Sequence, residues 1–160
     1  APAKTLEKIV TDFELEDVDG ETVYDDPHAA ANTVGWNIKT ILNGSQTAEE
    51  KAADVGIYLD GLYRMLFTGP EGQMPGTEEV QSAVRGHLDE LKAIAEKLSR
   101  TSDKASVQEG IVGLREFLLR ATVDWNDLSK SMDIPIRAGG QMAYTRFALY
   151  LESSLNLEMK

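Results

Sequence analysis

The 160-residue chain contains no cysteine. That excludes thiol nucleophiles, disulfide bonds, cysteine-ligated zinc and iron–sulfur clusters. It holds only two histidines, too few to supply both a nucleophile's base and a metal shell. Neither sits in the Glu-x-x-His pattern that helix-borne carboxylate metal pairs need. Phosphate loops of the GxGxxG and GxxxxGK types are missing, as is a Gly-x-Ser-x-Gly elbow. No apolar run approaches the length of a membrane span. Basic residues are scarce in the first half: residues 1–80 carry five against sixteen acids, which accounts for the whole net charge of −11. Residues 81–160 balance at eleven each. Such a layout argues against nucleic acid and anionic lipid as partners, since both require cationic patches.

What is present is apolar spacing. Hydrophobic residues make up 42%, enough for a packed core at this length. From residue 28 onward they recur at steps of four and three. One stripe reads Val34, Ile38, Ile41, and a second Ala48, Ala52, Val55, Leu59, Leu62, Leu66. A third reads Val84, Leu88, Leu91, Ala95, Leu98. The longest is Val107, Ile111, Leu114, Leu118, Ala121, Trp125, Leu128. A last segment places Met142, Phe147, Tyr150, Leu151 and Leu155 on one face. Each stripe is a helix seam.

The punctuation agrees. Pro27 suits a first helical turn. Asn43-Gly44 tolerates the left-handed conformation that ends helices. Thr47 with Glu50 has capping-box spacing, and Thr77 precedes Glu78 and Glu79. Breakers cluster in FTGPEGQMPG (67–76), RTSDK and SMDIPIRAGGQ. Short loops make sequential helices antiparallel. The expected fold is all-α, an antiparallel up-down four-helix bundle over residues 28–160. The fifth segment either completes it or replaces the short first helix.

Residues 1–27 form an acidic N-terminal arm with nine acids against Lys4 and Lys8. Its FELEDVDGETVYDDP stretch imitates a calcium loop, but Gly20 follows Asp19 directly and the ligand spacing fails. Asp-Gly at its centre favours a small hairpin or an extended arm. Phe13 and Tyr24, flanked by Asp17 and Asp19, have the makings of interface anchors. Met74 in the 67–76 loop and Arg137 in the glycine-rich RAGGQ are the other candidate contact residues. His87 reads as a structural or surface histidine beside a seam, and Asp124 and Asp127 as solvated charges. No catalytic residue, metal ligand or cofactor is expected.

In outline the chain resembles the small extrinsic helical-bundle proteins on the lumenal side of photosystem II, the oxygen-evolving-enhancer class. The shared features are the processed-looking APA start, an irregular arm before the first helix, and four antiparallel helices over most of the chain. The resemblance implies an accessory subunit that stabilises a membrane complex from its aqueous side, without a cofactor. Its partners would be protein subunits of a larger complex, and its setting a thylakoid lumen or periplasm. The same outline suits a periplasmic accessory protein or a phage structural protein. The alternative function is a small-ligand or pigment carrier, with Trp36, Trp125, Phe117, Tyr58, Tyr63 and Met65 lining a pocket between helices.

Overall fold

A computed structural model describes residues 27–68, 77–132 and 141–158. These residues form five helices, and no strand occurs among them. They are α1 (Pro27–Leu42), α2 (Ala48–Thr68), α3 (Glu78–Leu98), α4 (Lys104–Met132) and α5 (Gln141–Glu158). The arm, the heart of the 67–76 loop and the RAGGQ glycines lie outside the described residues.

Local chemistry accounts for the helix ends. Pro27 opens α1, where a missing N–H costs nothing. Thr47 Oγ1 accepts the Glu50 N–H at 3.2 Å, and its hydroxyl donates to Glu50 Oε1 at 3.0 Å. The Glu50 carboxylate thus bonds the cap hydroxyl rather than the cap N–H. Thr77 Oγ1 accepts from the Val80 N–H and starts α3. Asp103 opens α4, its Oδ1 accepting from Ala105 N–H at 3.1 Å and Ser106 N–H at 3.3 Å. These bonds, led by that from the Ser106 hydroxyl, hold its carboxyl below the usual carboxylate range. Gly44 stays out of the left-handed region expected of it. Its N–H instead reaches the Ile41 carbonyl in a tightened last turn.

Consecutive helices pack on each other, and α1 against α5 closes the circuit with the most extensive of these contacts. Tyr63 meets His87 while Gly56 lies by Ala95, so α2 and α3 run in opposite directions. His87 meets Asp124 and Lys97 meets Glu109, so α3 and α4 do the same. The closing pair differs. His28 meets Tyr150 and Gly35 lies against Leu151 and Ser154, so the numbers on α1 and α5 rise together.

The stripes largely become core. Val34, Ile38, Val55, Leu59, Leu62, Leu66 and the α4 run from Val107 to Trp125 are buried. Ala48 and Tyr150, expected on seams, are exposed instead. Ala48 is the first residue of α2. Tyr150 turns its ring edge-on to His28 at the surface, 4.9 Å between centroids. Val80 and Ile94 join Leu91, Ala95 and Leu98 in the α3 seam, while Val84 and Leu88 are half-buried.

At Gly35 α1 comes close against α5. A Cβ there would collide with the Ser154 hydroxyl and sit 3.0 Å from Ser154 Cβ. Gly35→Ala gains helix propensity of up to ~1 kcal/mol but overpacks this contact, for an expected net loss of about 1–2 kcal/mol. Chemical denaturation of Gly35→Ala, Ser154→Ala and the double variant checks it. The double variant should be more stable than the two single effects added together, because Ser154→Ala removes the colliding oxygen. Strict additivity would mean that the helices do not meet at Gly35.

Candidate functional site

Two features stand out among the described residues: a buried polar chain and an open groove. The chain runs through three helices at the end of the core where α2 finishes and α5 begins. Trp125 of α4 is fully buried and donates its Nε1–H to Tyr63 Oη of α2 at 3.0 Å. Tyr63 Oη lies 2.7 Å from His87 Nδ1 of α3. His87 Nε2 lies 2.9 Å from Asp124 Oδ2, back on α4. Tyr63 is 1% exposed, whereas the Asp124 side chain is 46% exposed, so the chain leads from the core to water.

The direction of every proton follows from the donors. An indole N–H only donates, so Tyr63 Oη accepts from Trp125. The Asp124 carboxylate only accepts, so a neutral His87 ring carries its proton on Nε2 and leaves Nδ1 as the acceptor for the phenolic proton. The Nε2 proton is donated to Asp124. Burial pushes the Tyr63 phenol well above the ordinary tyrosine range, opposed chiefly by the Trp125 hydrogen bond. The phenol thus stays protonated, as this assignment requires. Rings enclose the network: Phe67 and Phe117 lie 5.3 and 6.0 Å from Tyr63, and Tyr144 lies 5.5 Å from Phe67. Tyr144 in turn donates to the Leu66 carbonyl, tying α5 to the end of α2.

The groove, about 730 Å³, lies along α2 and α3. Ala52, Ala53, Gly56 and Ile57 of α2 face it, with Leu88 and Leu91 of α3. Small side chains keep the α2 wall low, which is why a furrow remains. Glu49, Asp60, Asp89 and Glu96 stand around it with Lys92 and Arg100, a balance of two positive against four negative. Asp60 is paired with Arg64 at 2.5 Å on the exposed surface.

The residues expected to touch a partner, Phe13, Asp17, Asp19, Tyr24, Met74 and Arg137, all lie outside the described residues. The six residues expected to line a ligand pocket take different places among the described residues. Trp125, Phe117, Tyr58 and Tyr63 are core, Met65 packs partly buried against it, and Trp36 is 56% exposed under Lys39 Nζ. The groove is lined by none of them. Asp124 is more than a solvated charge, since it receives the His87 proton. The sequence did carry one signal for this chain. His87 occupies a seam position, seven after Val80 and four before Leu91, where an apolar residue is usual.

No protein-family model, no curated protein and no solved structure matches this chain.

Proposed function

We propose that the protein is a non-catalytic accessory subunit that docks on a larger protein complex and stabilises it. The α2/α3 groove carries this reading. Its floor is small and apolar, four carboxylates against two cations stand around it, and it is open to solvent, while Tyr63, His87 and Trp125 are buried. The occupant that fits is a basic amphipathic helix of a partner subunit. From Ala48 to Asp60 the groove follows about three helical turns, roughly 18 Å at 1.5 Å per residue. Carboxylates on the rim complement Lys and Arg flanking an apolar stripe. A net charge of −11 steers such a partner in.

On this reading the helices alternate up and down around the core. Five of them then bring the first and last together in the same direction, in keeping with the α1–α5 contacts. Phe13, Asp17, Asp19 and Tyr24 in the arm, with Met74 and Arg137, extend the contact surface. Among the described residues no helix is long and apolar enough to cross a membrane, consistent with attachment from an aqueous side. The photosynthetic or lumenal setting follows from the resemblance of outline alone.

The test is Ala53→Arg in the full chain. Ala53 is exposed, so the fold should tolerate the change, with stability within about 0.5 kcal/mol of the parent. The new cation fills the groove and repels a basic helix. The variant should wash off native complexes at lower salt than the parent, since contacts between exposed charges are screened. Retention equal to the parent at every salt concentration would remove the groove as the docking site.

A further inference from the structure

The Trp125–Tyr63–His87–Asp124 chain has no part in the groove, and its chemistry is of another kind. A phenol that loses an electron becomes a strong acid. It gives up that electron readily only where a base already holds its proton. His87 Nδ1 lies 2.7 Å from Tyr63 Oη, within the reach that proton transfer requires. Asp124 Oδ2, 2.9 Å from Nε2, is placed to stabilise the imidazolium that would form. Trp125 Nε1–H at 3.0 Å keeps a hydrogen bond on the phenolic oxygen after its proton has gone.

We propose that Tyr63 is a reversible one-electron redox site, which passes its phenolic proton to His87 as it gives an electron to a high-potential transition-metal complex acting as one-electron outer-sphere oxidant at the protein surface. The step balances. The Oη–H bond breaks, one electron leaves to the oxidant, and the proton forms a bond to Nδ1. A neutral phenoxyl radical and an imidazolium paired with Asp124 remain. Return of one electron reverses both transfers, so no atom is lost.

Two other buried tyrosines are bonded to a side-chain amide and to a backbone carbonyl. Tyr58 Oη accepts from the Asn37 amide at 3.0 Å, and Tyr144 donates to the Leu66 backbone carbonyl. Neither an amide nor a carbonyl takes up a proton near neutral pH. The packing round Tyr63 serves the radical too. Phe67, Phe117 and Trp125 shield the ring from water and from a second radical. The charged groups that bear on Tyr63 are Arg64 and Asp60 of α2 and Asp124 of α4.

The experiment uses the intact chain and a photogenerated tris(bipyridine)ruthenium(III) ion as oxidant. Flash absorption and electron paramagnetic resonance should show a long-lived neutral tyrosyl radical in the parent, formed more slowly in deuterated water. Tyr63→Phe should abolish it. His87→Gln should shorten its life or slow its formation by about a hundredfold, the lower end of what a positioned base contributes. His87 is buried, so that variant's fold is checked by circular dichroism. Asp124→Asn, at a half-exposed site, gives a second test independent of core packing and should show a smaller loss in the same direction. A radical on Tyr144, Tyr150 or Trp125 in the parent would overturn the proposal. So would a Tyr63 radical indifferent to both His87→Gln and Asp124→Asn.

Discussion

Trp125→Ala is expected to be among the most damaging single changes in this protein, lowering stability by about 3–5 kcal/mol. The indole is fully buried, stacks on Phe67 at 6.2 Å between centroids, and packs from α4 across to Tyr63 of α2. Its removal deletes a large apolar surface and leaves a cavity between helices that cannot collapse independently. It also strips Tyr63 Oη of its donor, a bond that joins residues 62 apart in sequence. A domain of this size has roughly 5–15 kcal/mol in total, so the change uses up about a fifth of it at the least. The melting temperature should fall by about 6–20 °C at 2–4 °C per kcal/mol. Urea denaturation followed by circular dichroism measures it. Trp125→Phe separates the contributions, keeping most of the packing and losing only the hydrogen bond. A Trp125→Ala loss below about 1 kcal/mol would mean that the indole is not buried among these helices.

Leu118→Ala should cost about 2–5 kcal/mol. Leu118 is 3% exposed in the middle of the α4 seam, between Leu114 and Ala121. The loss combines the transfer free energy of the deleted carbons with the void left behind, and its spread reflects how far the neighbours can relax. Val123, on the same helix but 44% exposed, is the internal control. Val123→Ala should change stability by no more than about 0.5 kcal/mol. Equal effects at the two positions would place the α4 seam on the wrong face.

Much of the fold was legible in the order of residues, and for a local reason. Whether a segment is helical, and which face it buries, depends on neighbours three and four apart. Val107, Ile111, Leu114, Leu118, Ala121 and Trp125 therefore announced both the helix and its buried side. Thr47 and Thr77 announced helix starts, because a cap needs only the next three residues. Asp103 was passed over although its geometry is equally local, since RTSDK reads first as a break in pattern. The all-α class follows from these features together.

What local order did not contain is which faces meet. Asp124 and Asp127 look alike on the chain, yet only Asp124 receives a bond from His87, 37 residues away. Tyr63, His87 and Trp125 converge because α2, α3 and α4 pack with one particular stagger, and that stagger reflects every side chain in the seams at once. Likewise Tyr150 has seam spacing, yet it lies exposed with its ring edge-on to His28 of α1. Residue order alone specifies five amphipathic segments, most of their ends and an acidic first half. Tertiary structure alone decided the closing of α1 on α5, the groove left by small residues on α2, and the bonded path from Trp125 to Asp124. Each of these depends on distances between helices, which no spacing within one helix encodes.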